Sequence, residues 1–254
     1  MIYSMLTNKQ GLIVWGGESS TDYGMVVSEP PVFDKPTLRQ TIYSVPGKNG
    51  AIVLDDDSYN DTNRVYKVVV PDDETVDSGG NVVGTLAEKV TDMSSWLFSK
   101  RGYTRLEDNF EPDIFRLAYY SGGNDVINRL LQIGETELTF TCRPERFLKS
   151  GETAETHTNG DTITNPTKYT SKPLIHIEGS GTVTVTLGGN TMTAVLGTSD
   201  YIDIDCDRMN AYKGATNKND KISGDFPVIK SGANSLTTTG TITLLKITPR
   251  YFTI

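Results

Sequence analysis

Apolar and polar positions alternate over short, strand-like intervals along the first 70 residues. "GLIVWGG" (11–17) and "YGMVVSEPPV" (23–32) are brief runs of β-type residues, closed by Gly16-Gly17 and by Pro30-Pro31; such bounded runs predict strands. "QTIYSVPG" (40–47) and "GAIVLDD" (50–56) flank Lys48-Asn49. With Gly50 this pair predicts a hairpin turn, because Asn and Gly both tolerate positive φ. "RVYKVVV" (64–70) alternates up to Pro71, and "PDDETVDSGGN" (71–81) is polar and acidic, hence an exposed loop.

The period then changes. In "TLAEKVTDMSSWLFSKRG", Leu86, Val90, Met93 and Leu97 recur at helical spacing and predict one buried face of a helix over about 85–100. Thr85 and Glu88 form a capping-box pattern, Lys100-Arg101 sit where cations favour a helix C-terminus, and Gly102 suits a left-handed stop. "YTRLED", "FRLAYY" and "ETELTFTC" are three further strand candidates.

Residues 150–172 hold almost no large apolar side chains and mark a domain boundary or a lightly packed strand and loop. Beyond them only β patterns occur. Val183, Val185 and Leu187 point one way and Thr182, Thr184 and Thr186 the other, after which Gly188-Gly189-Asn190 turns the chain back. About six short strands at close intervals predict a sandwich. The expected architecture is mainly β, with an N-terminal β-rich domain carrying one α-helix (1–149) and a C-terminal β-sandwich (150–254).

Charge narrows the function. The 254-residue chain carries 24 Lys+Arg against 32 Asp+Glu, a formal −8. Residues 1–150 hold 15 basic and 22 acidic side chains, so most of the excess lies in that half. No basic face emerges to release counterions, which argues against nucleic-acid and anionic-lipid partners. Cys142 and Cys206 lie far apart outside any C-x-x-C pattern and are expected as free, strand-buried thiols. The start "MIYSMLTNKQ" lacks the basic and apolar regions of a signal peptide, and no apolar run approaches the roughly 18–20 residues that span a bilayer.

Candidate chemistry is sparse. Asp55, Asp56 and Asp57 are consecutive, so on a strand they point to opposite faces; a solvated strand end fits better than a metal site. Asp203, Asp205 and Asp207 begin like a calcium loop, but Arg208 and Gly214 occupy the positions that need Gly and Glu. Ile202, Ile204 and Cys206 instead mark a half-buried strand whose acids share a wet face. His157 and His176 are the only histidines; His176 is expected to face outward between Ile175 and Ile177. Neither Cys lies in a nucleophile-like context, and G-x-S-x-G, H-E-x-x-H and phosphate-loop motifs are absent. Asn60-Asp61-Thr62 fits a glycosylation acceptor but has no secretion signal beside it. Tyr119-Tyr120 beside Gly122-Gly123, with Tyr169, Tyr201 and Tyr212, suit either sugar stacking or burial in a core or subunit interface. No catalytic, cofactor-binding or metal-ligating residue is assigned, and no cofactor is expected.

Taken in order, "VPGKNG" between two strands, the helix ending in "SWLFSKRGYTRLED", and "ETELTFTCRPERF" resemble the N-terminal domain of the distal tail (Dit) proteins, the baseplate hub components of long-tailed, siphovirus-type bacteriophages and prophages. "KPLIHIEGSGTVTVTLGG", "YIDIDCD" and "GDFPVIKSGANSLTTTGTITLLKITPR" are similar to that family's C-terminal galectin-like β-sandwich, through Phe226-Pro227, Gly232, Asn234, Leu236 and Gly240. The resemblance implies a non-enzymatic virion protein made in the host cytoplasm. It implies a homohexameric ring at the tail tip, joining the tail tube to a tail-associated lysin, fibre or receptor-binding protein, with host glycans as a further contact. Cyclic assembly needs heterologous contacts, for which exposed strand edges in residues 11–70 are natural material. An acidic first half around a channel would repel DNA. The competing expectations are a carbohydrate-binding β-sandwich, monomeric in solution, and a glycoside hydrolase or esterase with an unfamiliar site.

Overall fold

The computed structural model describes residues 11–70, 75–76, 82–83, 86–122 and 134–254. It is mainly β, and the chain divides into two compact units, one running to Arg146 and taking in Ile254, the other Phe147–Thr253.

The first unit is an antiparallel sheet with a helix packed into its core. Its main strands are β1 (Ile13–Trp15), β4 (Thr62–Val69), β5 (Thr104–Asp108), β6 (Ile114–Tyr120) and β7 (Glu135–Leu148), in spatial order β1-β5-β6-β7-β4. Strand alternation puts Trp15, Tyr66, Leu106, Leu138 and Phe140 on one buried face. Helix α1 (Leu86–Ser99) adds Val90, Met93, Trp96 and Leu97 to the same core. The periodicity therefore identified the helix and its face, with Leu86 partly buried at the rim and Trp96 added. Trp96 stacks on Tyr23 at 4.8 Å and donates its Nε1–H to the Trp15 carbonyl at 3.2 Å. Thr85, half of the expected capping box, and most of the 71–81 loop lie outside the described residues. Lys100 directly follows the helix, and its ammonium reaches Glu18 at 2.9 Å. Gly102 does adopt a left-handed φ of 70°.

Strands β2 (Leu38–Ser44) and β3 (Ala51–Tyr59) form a separate two-stranded ribbon. The connection is longer than the expected turn. The Lys48 amide donates to the Val45 carbonyl, with Pro46 and Gly47 (φ 76°) as the two central residues. Proline fixes the first φ and glycine supplies the second, the requirements of a type II turn, so Pro46-Gly47 begin a connection that runs on through Lys48-Asn49 to Gly50, which takes the expected positive φ of 83° before Ala51 pairs with Ser44.

The second unit is built on three long strands, β9 (Leu174–Leu187), β10 (Asn190–Asp205) and β12 (Gly232–Thr248). With β8 (Thr162–Asn165) and β11 (Asn210–Lys213) they belong to an eight-stranded sheet in which β9 lies between β12 and β10. Gly188 and Gly189, at φ 63° and 87°, make the two-residue β9–β10 turn that the sequence called for. Val183, Val185 and Leu187 are buried as expected, with Ile175, Ile177, Ile204 and Ile247.

Candidate functional site

The acids Asp55, Asp56 and Asp57 lie within β3 rather than at its end. The Asp55 carboxylate accepts the Asp57 amide at 2.9 Å and Asp56 accepts the Ser58 amide at 3.1 Å. Asp57 has φ 55°, and the β2–β3 register shifts between Leu38 and Gln40. The side chains thus stabilise a bulge at the root of the ribbon, as Asp does readily. Among the described residues, no three His, Cys, Asp or Glu side chains are grouped to hold a metal ion.

Asp205 departs from the wet-face expectation. It is buried, receives Arg250 through two bonds of 2.7 and 3.1 Å, and accepts the Asp207 and Arg208 amides. Burial opposes its charge, yet these donors hold its carboxyl below the usual range. His176 is partly exposed and lies between Asp203 (2.7 Å) and Glu178 (3.2 Å). Burial disfavours its cation, but the two carboxylates outweigh that and raise its pKa. His157 packs near Asp161 at 3.5 Å. Asn60 donates to the Thr37 hydroxyl at 3.1 Å, tying the two ends of the ribbon. Cys142 and Cys206 are free and buried; desolvation pushes their thiols up to about 11 and about 12, which suppresses thiolate chemistry.

The tyrosines separate. Tyr120 packs on Phe140 (5.5 Å) and Phe98 (5.3 Å), whereas Tyr119 turns outward and meets Tyr103 edge to face at 5.5 Å. Tyr169 stacks on Phe252, and Tyr201 lies between His176 and the Lys213 ammonium. Tyr169 thus has one ring face covered by Phe252, and Tyr201 has intramolecular partners of its own.

Sequence reading missed a buried charge network in the first unit. Arg64 donates to Asp108 through Nε (3.0 Å) and a terminal nitrogen (2.7 Å), and the Tyr66 hydroxyl donates to the same carboxylate oxygen at 2.7 Å. Glu111 receives Arg116 and Arg146. A cavity of about 310 Å³ opens beside these groups. Burial and Asp108 keep the Tyr66 hydroxyl protonated well above its ordinary pKa. The signal was present, because Arg64 falls in phase with Tyr66 and Val68 on the inward positions of "RVYKVVV". With each carboxylate held by arginine, the network joins β4 and β5.

The ribbon is the exposed counterpart of that core. Leu38–Asp57 is exposed throughout, and neither ribbon strand pairs with another strand among the described residues. Ile42 (66%), Tyr43 (53%), Ile52 (42%), Val53 (51%) and Leu54 (54%) all face solvent. Ile42 is opposite Val53 on one face, and Tyr43 is opposite Ile52 on the other. An isolated two-stranded ribbon is marginal in water, and side chains of this size each contribute roughly 1.5–3 kcal/mol when covered.

The Phe226…Gly240 pattern is structural. Asn234 is buried, accepts the Lys230 amide, and donates to the carbonyls of Lys230 (2.7 Å), Gly232 (2.8 Å) and Ile163 (3.3 Å). It locks the turn into β12 onto β8.

No protein-family profile and no curated protein sequence matches the chain. Among solved structures, the chain is similar to SPP1 Dit (gp 19.1), described as a paradigm of the hub adsorption apparatus in phages that infect Gram-positive bacteria. The TM-score is 0.72 at 14% sequence identity, covering 97% of this chain and 100% of that one. The chain thus shares the fold of SPP1 Dit across nearly its whole length.

Proposed function

We propose that this chain is a structural, non-enzymatic component of the hub at the distal end of a bacteriophage tail. Copies assemble into a closed ring, expected to be hexameric, that joins the tail tube to the lysin, fibre or receptor-binding apparatus. The reading is carried by one observation, the likeness to SPP1 Dit over 97% of the chain, with both units included. The packed charge network and the raised thiol pKa values agree with a scaffold. So does the acidic first half, which in a ring would line or flank a channel that lets DNA pass. Immunogold electron microscopy on virions that carry the chain tests this. Label at the tail end remote from the capsid is expected; virions that stay unlabelled after mild disruption, or label on the capsid, contradict it.

A further inference from the structure

Asparagine is chemically labile, and a following glycine leaves its side chain least hindered toward cyclisation, because glycine has no Cβ to block the approach. The chain contains two such pairs, Asn49-Gly50 and Asn159-Gly160. Both pairs are exposed, and both glycines take a left-handed φ, of 83° and 93°. Exposure and local sequence therefore do not distinguish them; hydrogen bonding does. The Asn159 side-chain carbonyl accepts the Thr238 amide at 2.8 Å, and the Gly160 N–H donates to the Leu236 carbonyl at 3.0 Å. The carbon to be attacked and the nitrogen to attack it are thus both clamped onto β12. The Thr158 amide and hydroxyl, both donating to the Asp161 carboxylate, close the same turn. Asn49 and Gly50 lie instead in the connection between β2 and β3, and neither has a hydrogen-bond partner among the described residues. Beyond its chain neighbours, no heavy atom lies within 4 Å of the place a Gly50 Cβ would take, so the backbone there is open to water.

We propose that Asn49 is a site of spontaneous deamidation, and that Asn159 is protected by its bonds to β12. The Gly50 nitrogen, losing its proton to water, forms a bond to the Asn49 side-chain carbonyl carbon. The bond from that carbon to the side-chain nitrogen breaks, ammonia leaves, and a five-membered succinimide remains. Water then adds to either ring carbonyl and the ring C–N bond breaks, giving aspartate or isoaspartate. One water is consumed and one ammonia released, with no oxidation or reduction. Each event places a new carboxylate beside Lys48, on a ribbon that already carries Asp55, Asp56 and Asp57. The isoaspartate product also lengthens the main chain by one methylene between Ser44 and Ala51, the pair that closes the ribbon. Copies of different age thus differ in charge and in loop length at the ribbon tip. This chemistry is independent of the hub reading.

Peptide mapping by mass spectrometry tests it, on the full chain incubated in one buffer with and without denaturing urea. Fragment spectra locate each Asn-to-Asp mass change, and elution separates the aspartate and isoaspartate products. In urea the two sites are expected to convert at similar rates. Without urea, Asn49 is expected to keep nearly its unfolded rate, while Asn159 slows by roughly ten- to a hundredfold, since two hydrogen bonds must open first. In Asn49→Gln the change at position 49 is expected to be suppressed, because the longer side chain closes a six-membered ring much more slowly. Circular dichroism and Tm should match the natural sequence, as the position is exposed and unbonded. An Asn49 that stays intact in the folded chain overturns the proposal. So does folding that slows both sites equally, or that leaves Asn159 as fast as in urea.

Discussion

Arg64 and Asp108 set the residue-scale behaviour of the first unit. Both are buried, and the pair holds β4 to β5 at the end of an otherwise apolar face. Asp108→Ala strands a buried guanidinium, so a loss of about 3–5 kcal/mol is expected in urea unfolding. The corresponding change at exposed Asp56 is expected to stay within about 0.5 kcal/mol. In the second unit, the depressed Asp205 carboxyl contributes stability that is complete above the ordinary carboxylate range and is lost as pH falls through its folded pKa. His176 runs the other way. Its raised pKa contributes stability that is complete below the ordinary histidine value and disappears as pH rises through the folded one. Unfolding free energies from pH 2.5 to 8.5 should therefore show a shallower acid limb in Asp205→Asn. In His176→Gln they should show a smaller fall above pH ~6.5. Unchanged limbs would mean that Arg250 and Asp203 do not act on these groups. Such pairings were only half legible beforehand: phase placed Arg64 inward, but its partner is 44 residues away, and no local spacing encodes that.

At the scale of elements, periodicity served well where one face packs on a core. Leu86, Val90, Met93 and Leu97 defined α1, and the Val/Thr alternation defined β9. It saw only part of the β2–β3 connection, because Pro46-Gly47 and Asn49-Gly50 are turn-forming pairs three residues apart and the strand register, with Ser44 opposite Ala51, takes both into the loop. It also treated Asp205 like Asp203, since alternation cannot foresee Arg250 closing over one of them. The glycines of the β9–β10 turn give a sharp contrast. A Cβ at Gly188 would lie 2.1 Å from the Val228 carbonyl oxygen, whereas one at Gly189 would meet only the Lys230 ammonium at 3.5 Å. Gly188→Ala is expected to cost about 1–3 kcal/mol, and Gly189→Asn less than about 1, because Asn accepts the left-handed region. Equal losses in chemical denaturation would refute this reading of the turn.

For the whole molecule, the order of short motifs resembles that of phage distal tail proteins, and the fold agrees with that resemblance over both units. The candidate site was less legible. Sequence marked residues 11–70 as assembly material and "QTIYSV" and "GAIVLDD" as the strands of a hairpin, but only the structure shows that their large apolar side chains are exposed on both faces. Apolar pattern reports that a strand will be covered, not whether its own chain or a neighbour covers it. The central claim is the proposed hub role, in which copies of this chain close into a ring. Electron cryomicroscopy of the purified natural chain tests it most directly. Class averages of closed rings are predicted; single copies at every concentration would contradict the account.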